Sequence, residues 1–80
     1  MAMTSNIVIV ILSEDNDISG RLKERFPFLN NVTVTNPELY EGIYKLSIVC
    51  NFEKNEADIR VLLNALIRDF GSSCVTWYKC

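Results

Sequence analysis

The sequence predicts an α+β domain built as a two-layer sandwich, with a four-stranded antiparallel sheet covered on one face by two helices. Three observations carry this. Ile7 to Leu12 is an unbroken apolar run of strand length, which is how a strand covered on both faces reads. Tyr44, Leu46, Ile48, Cys50 and Phe52 alternate with a more polar set, as a strand with one core face must. Ile59, Leu62, Leu63, Leu66 and Phe70 recur at helical spacing and form one apolar stripe.

Each element can be justified in chain order. The run Ile7–Leu12 is strongly β-branched and bounded by polar residues, so it belongs at the centre of the sheet. Ser13-Glu14-Asp15-Asn16-Asp17 follows, offering caps and negative charge for a helix start. Ile18, Leu22 and Phe26 then fall on one face of a first helix, which ends near Pro27 because the residue before a proline is pushed out of the helical region. Val32 and Val34 alternate with Thr33 and Thr35 in a short second strand, and Asn36-Pro37 through Gly42 reads as a long connection. Ile43 to Phe52 is the third strand. Asn55 is a suitable N-cap, Glu56 and Asp58 complement the positive end of a second helix, and Gly71 closes it. Cys74 to Tyr78, rich in β-branched and aromatic residues, is the last strand.

The resulting order is β-α-β-β-α-β over residues 1–80, one domain. Two right-handed crossovers sharing a sheet give the ferredoxin-like arrangement, with the first and third strands in the middle.

Composition narrows function more than it defines it. Eighty residues leave room for one small core, and 49% hydrophobic content against 22% charged is that of a folded globular chain. The net charge of −2 comes from eight basic and ten acidic residues; the bases are scattered, so the basic face that grips nucleic-acid phosphates is missing. Histidine is absent, which removes the commonest proton-transfer group near neutral pH and the commonest metal ligand. No catalytic residue, cofactor or metal is therefore expected. Cys50, Cys74 and Cys80 are odd in number and lack C-x-x-C spacing, which reads as reduced thiols in a cytoplasmic protein. The six-residue run Ile7–Leu12 is too short for a membrane span or a signal core.

Asp15-Asn16-Asp17-Ile18-Ser19-Gly20 matches the start of a calcium loop but has Phe26 where the bidentate Glu belongs. Helix capping is the better reading of these acids. The stretch Ile7 to Leu22 resembles the opening of an ACT domain, a small regulatory module in which an apolar strand runs into an Asp-x-x-Gly-x-Leu turn. Those residues are Asp17, Gly20 and Leu22 here, with Ser19 where many ACT domains carry Pro. The element order is similar along the whole chain. The resemblance implies amino-acid or other small-effector binding between paired domains, with Asp17 and Gly20 as candidate contacts.

The face of the sheet away from the helices is the other candidate. Three residues of Ile7–Leu12 must lie on it whatever the parity, beside Ile43 and Val49 and either Val75 with Trp77 or the alternative set with Tyr78. An apolar patch of roughly several hundred Å² calls for a cover. Val75 and Trp77 are taken with Ile43 and Val49 as interface residues, and Leu39 and Tyr40 on the 36–42 connection suit partner recognition. The expectation is a non-enzymatic regulatory or interaction protein acting as a homodimer through the sheet, binding a protein partner or a small effector. An inhibitor of a host protein, of the kind phages and mobile elements encode, belongs to the same class. The alternative is a nucleic-acid binder of the RNA-recognition type, although the third strand lacks the outward aromatics that stack on bases.

Overall fold

A computed structural model describes residues 5–79 of the chain. The chain order is β1 (Asn6–Ser13), α1 (Ile18–Arg25), a 3₁₀ turn (Pro27–Asn31), β2 (Thr33–Val34), β3 (Glu38–Tyr40), β4 (Ile43–Asn51), α2 (Glu56–Phe70) and β5 (Val75–Lys79). The fold is α+β. Its antiparallel sheet runs β2-β4-β1-β5, and β3 also pairs with β4, making five strands where four were expected.

The fifth strand arises inside the segment read as a long connection. Tyr40 lies opposite Ile43, so only Glu41 and Gly42 turn the chain, at φ 50° and 85°. Two successive positive φ values are what a tight hairpin between twisted strands requires. Glu-Gly is a weaker hairpin signal than Asn-Gly or Asp-Gly, which is why the turn is hard to read. Pro37 has no N–H to give a ladder; it separates β2, reduced to Thr33–Val34, from β3. Thr35 bridges the break: its N–H donates to the Ser47 carbonyl at 2.9 Å, and its Oγ1 accepts from the Ser47 N–H at 3.0 Å.

β1 is paired along both edges, to β4 and to β5. Its odd residues define the inner face. Ile7, Ile9 and Ile11 lie opposite Cys50, Ile48 and Leu46 of β4, and all six are buried with Ile18 and Leu22 of α1 and Ile59, Leu62 and Leu66 of α2. Both helices therefore share one core with one face of the sheet.

The helix ends differ in detail from expectation. α1 stops at Arg25, where the Phe26 N–H donates to Leu22 O at 2.8 Å, and Pro27 opens the 3₁₀ turn that buries Leu29. Asn55 precedes α2, but its Nδ2 turns back to the Asn51 carbonyl at 2.9 Å instead of its side chain capping the first turn. Gly71, at φ 86°, ends α2 with its N–H on Ile67 O. No helix among the described residues is long and apolar enough to cross a membrane.

Candidate functional site: the open face of the sheet

Cross-strand register decides which side chains face away from the helices, because directly opposed residues in an antiparallel pair share a face. Val8 lies between Val49 of β4 and Tyr78 of β5, with Thr33 of β2 beyond Val49. Val10 lies between Ser47 and Thr76, and Leu12 beside Lys45, which faces Glu38 of β3. Ile43 pairs with Tyr40 at the hairpin. The centre of this open face is aliphatic and its surround is hydroxyl-bearing, with Tyr40 and Tyr78 at opposite sides, 57% and 52% exposed.

Charge on this face is sparse and matched. Lys45 and Glu38 oppose one another across β3 and β4. The Tyr40 hydroxyl donates to Glu38 Oε2 at 2.7 Å; that hydrogen bond, then the carboxylate charge, raises the Tyr40 pKa above its ordinary value. On the two central strands, β1 and β4, the outward side chains are aliphatic, hydroxyl or amide apart from Lys45. A stacking platform for bases would need aromatics there.

Of the interface residues expected from sequence, Ile43, Val49 and Tyr40 share the open face. Val75 and Trp77 do not. Val75 lies opposite Ile11 and Trp77 opposite Ile9, so both point to the helix side: Val75 is buried in the core and Trp77 sits at the core's edge, 48% exposed. Leu39 pairs with Tyr44, on the helix side of β3. The sequence left the parity of β1 and β5 open, and the register places Val8, Val10, Leu12 and Tyr78 on the open face. A uniformly apolar β1 carries no parity signal, and β5 is apolar or aromatic on both faces, so the set with Val75 and Trp77 could not be told from the set with Tyr78.

The β1–α1 loop places Asp17, the residue before α1, beside Gly20; contrary to the capping expectation, the Asp17 side chain does not cap the helix, and the loop's side-chain hydrogen bonds come from Ser13 and Asp15. Ser13 Oγ accepts from the Asp15 N–H at 3.1 Å, and Asp15 Oδ1 accepts from the Asp17 N–H at 2.9 Å. Asp15 Oδ2 also meets Arg21 Nε at 2.8 Å. Gly20 lies in the first turn of α1 beneath the Asp17 carboxyl; a Cβ there would stand 3.0 Å from Asp17 Oδ1. Among the described residues no group of three or more His, Cys, Asp or Glu side chains is placed to hold a metal ion.

Cys50 is buried on the inner face of β4, and burial pushes its thiol pKa up. Cys74 is partly exposed and shares a shallow depression with Leu12, Ile43 and Phe70 at one end of the sheet. Cys80 lies outside the described residues. No family model matches the chain, and no curated protein or solved structure matches it.

Proposed function

We propose that the chain is a small, non-enzymatic regulatory protein of ferredoxin-like topology that acts in the cytoplasm as a homodimer by docking the open face of its sheet on a protein target. The strand order β2-β4-β1-β5 supports that topology, since it is the order two interleaved β-α-β crossovers produce, with β3 added as a hairpin on β4. The observation that carries the reading is the make-up of the open face. An aliphatic centre at Val10, Leu12 and Val49, with Val8 already buried between Val49 and Tyr78, flanked by Tyr40 and Tyr78 and almost free of charge, has the anatomy of a protein–protein interface.

A protein target is favoured over a small effector. Of the loop carboxylates Asp15 is engaged by the Asp17 amide and by Arg21, and of the ACT-like candidates Gly20 lies within the first turn of α1, tight against the Asp17 carboxyl. Inhibition of a host protein is one use of such a face.

Leu12→Glu tests the proposal. Leu12 is 38% exposed and lies opposite Lys45, so the new carboxylate is solvated and matched in charge while the apolar centre is broken. Wild-type protein used as bait in a lysate of its native host should retain a specific protein, and Leu12→Glu should release it with its circular dichroism unchanged. Equal retention by both overturns the open-face reading. Single-stranded RNA binding that weakens steeply with salt would favour the nucleic-acid alternative instead.

A further inference from the structure

The two edges of the sheet are built differently. On one side the edge is divided between β2, two residues long, and β3, three residues long, with Pro37 between them; short strands and proline are ways of blunting an edge against pairing. On the other side β5 is a continuous strand, and it is the outermost in the sheet order. Its one charged side chain, Lys79, is drawn aside, with Nζ 4.1 Å from the centroid of the Phe52 ring.

The ladder shows which main-chain groups of β5 face outward. Leu12 N–H donates to Cys74 O at 2.9 Å, and these two residues are opposed in the same register that pairs Ile11 with Val75. Closely spaced pairs alternate along an antiparallel ladder, so Thr76 and Tyr78 turn their amides and carbonyls toward β1. Val75, Trp77 and Lys79 turn theirs away from the sheet.

We propose that β5 pairs antiparallel with β5 of a second copy across a two-fold axis at Trp77, joining two sheets into one. This rests on the homodimer in the proposed function and assigns its joint. The outward set is self-complementary about its middle residue: Trp77 meets the partner's Trp77, and Val75 meets the partner's Lys79. Each such pair exchanges two N–H···O bonds. The tryptophans become a cross-strand aromatic pair on the helix side, Thr76 faces the partner's Tyr78 on the open side, and Lys79 is set against an uncharged residue.

Area favours a second copy over a foreign strand. Trp77 and Tyr78 are each about half exposed, so four rings in a dimer offer roughly 400 Å². Trp77 shares a groove with Leu63 of α2, and Ile67, one turn further on, is 40% exposed. With the strand main chain and this flank, the buried area reaches on the order of 1,000 Å², the lower bound for a specific interface. A foreign extended segment would meet the same amides without a second Trp77. The two open faces of the dimer lie on the same side of the joined sheet, giving a paired docking surface.

Trp77→Pro tests the joint, because it removes an outward N–H and no bond of the β1–β5 ladder. Light scattering at micromolar concentration should give twice 9.1 kDa for the wild type, falling to the monomer mass for Trp77→Pro with circular dichroism retained. Trp77→Lys, which sets two charges at the two-fold, should do the same if the proline variant fails to fold. In the wild type, amide exchange at Val75, Trp77 and Lys79 should slow as protein concentration rises. A Trp77→Pro or Trp77→Lys variant that folds and stays dimeric, or concentration-independent exchange at those amides, overturns the edge joint. If Leu12→Glu dissociates the dimer instead, the joint fails while the homodimer stands. A monomeric wild type ends both, and target capture by the open face is then judged alone.

Discussion

Arg25 Nη1 lies 2.6 Å from Asp69 Oδ2, tying the last turn of α1 to the last turn of α2. The hydrogen bond from Arg25, aided by Arg68, holds the Asp69 carboxyl below its ordinary pKa of 3.8. A carboxylate whose pKa is depressed on folding contributes stability that is present above the unfolded pKa and lost as pH falls through the folded one. Thermal scans should therefore show Arg25→Gln and Asp69→Asn below the wild type at neutral pH, converging with it once the pH falls well under 4. The pair is exposed, so the gap should be modest and shrink in high salt. A gap that persists unchanged in acid would show that the two side chains act through packing rather than charge.

The Glu41-Gly42 turn is a second point where one residue decides local structure. Glu41 holds φ 50° and Gly42 φ 85°, and non-glycine residues resist the left-handed region, asparagine least. Gly42→Ala should lower stability by about 1 kcal/mol, although a Cβ there meets open space. Glu41→Asn should raise it, since asparagine is among the residues a type I′ hairpin turn prefers. Urea melts with an unchanged slope would report both, and equal midpoints for all three proteins would mean that the hairpin is already frayed.

Residue types made some of this fold legible and left the rest open. The stripe Ile59, Leu62 and Leu66, stopped by Gly71, could only be a helix. The alternation through Leu46, Ile48 and Cys50 named the inner face of β4 correctly, and all three are buried. Where both faces of a strand are apolar, as in β1, pattern has nothing to say; only pairing to β4 separates Ile7, Ile9 and Ile11 from Val8, Val10 and Leu12. The parity of β5 has the same origin, and it removed Val75 and Trp77 from the open face. β3 was hidden because its hairpin rests on backbone φ values that Glu41 does not advertise. The Asp15–Asp17 loop kept two readings because capping and ligand binding use the same carboxylates.

Adjacent residues of β4 should then behave as opposites. Ile48 is fully buried between the sheet and the helices, whereas Val49 faces outward and is partly exposed. Ile48→Ala should cost about 2–5 kcal/mol, the range for truncating a packed core side chain. Val49→Ala should cost less than about 1 kcal/mol, and it should weaken target binding where Ile48→Ala, measured under folding conditions, does not. Comparable losses of stability at the two sites would mean that the open face is covered within the monomer.

The thiols offer a check on the inner face that needs no partner. Cys50 is buried and its pKa is raised by that burial, while Cys74 is partly exposed. In a Cys80→Ser background, a small disulfide reagent should label Cys74 quickly and Cys50 only as fast as the chain opens, since the thiolate is the reacting form. Denaturant should make the two rates equal. Because folding keeps the Cys50 proton in place, its contribution is complete below the unfolded thiol pKa and is lost as pH rises through the folded value. The native protein should thus lose stability above about pH 9, and Cys50→Ala should remove that alkaline component while lowering stability at neutral pH through the smaller side chain. Rapid labelling of Cys50 in native buffer would place it on the wrong face of β4, and the core assignment would fall with it.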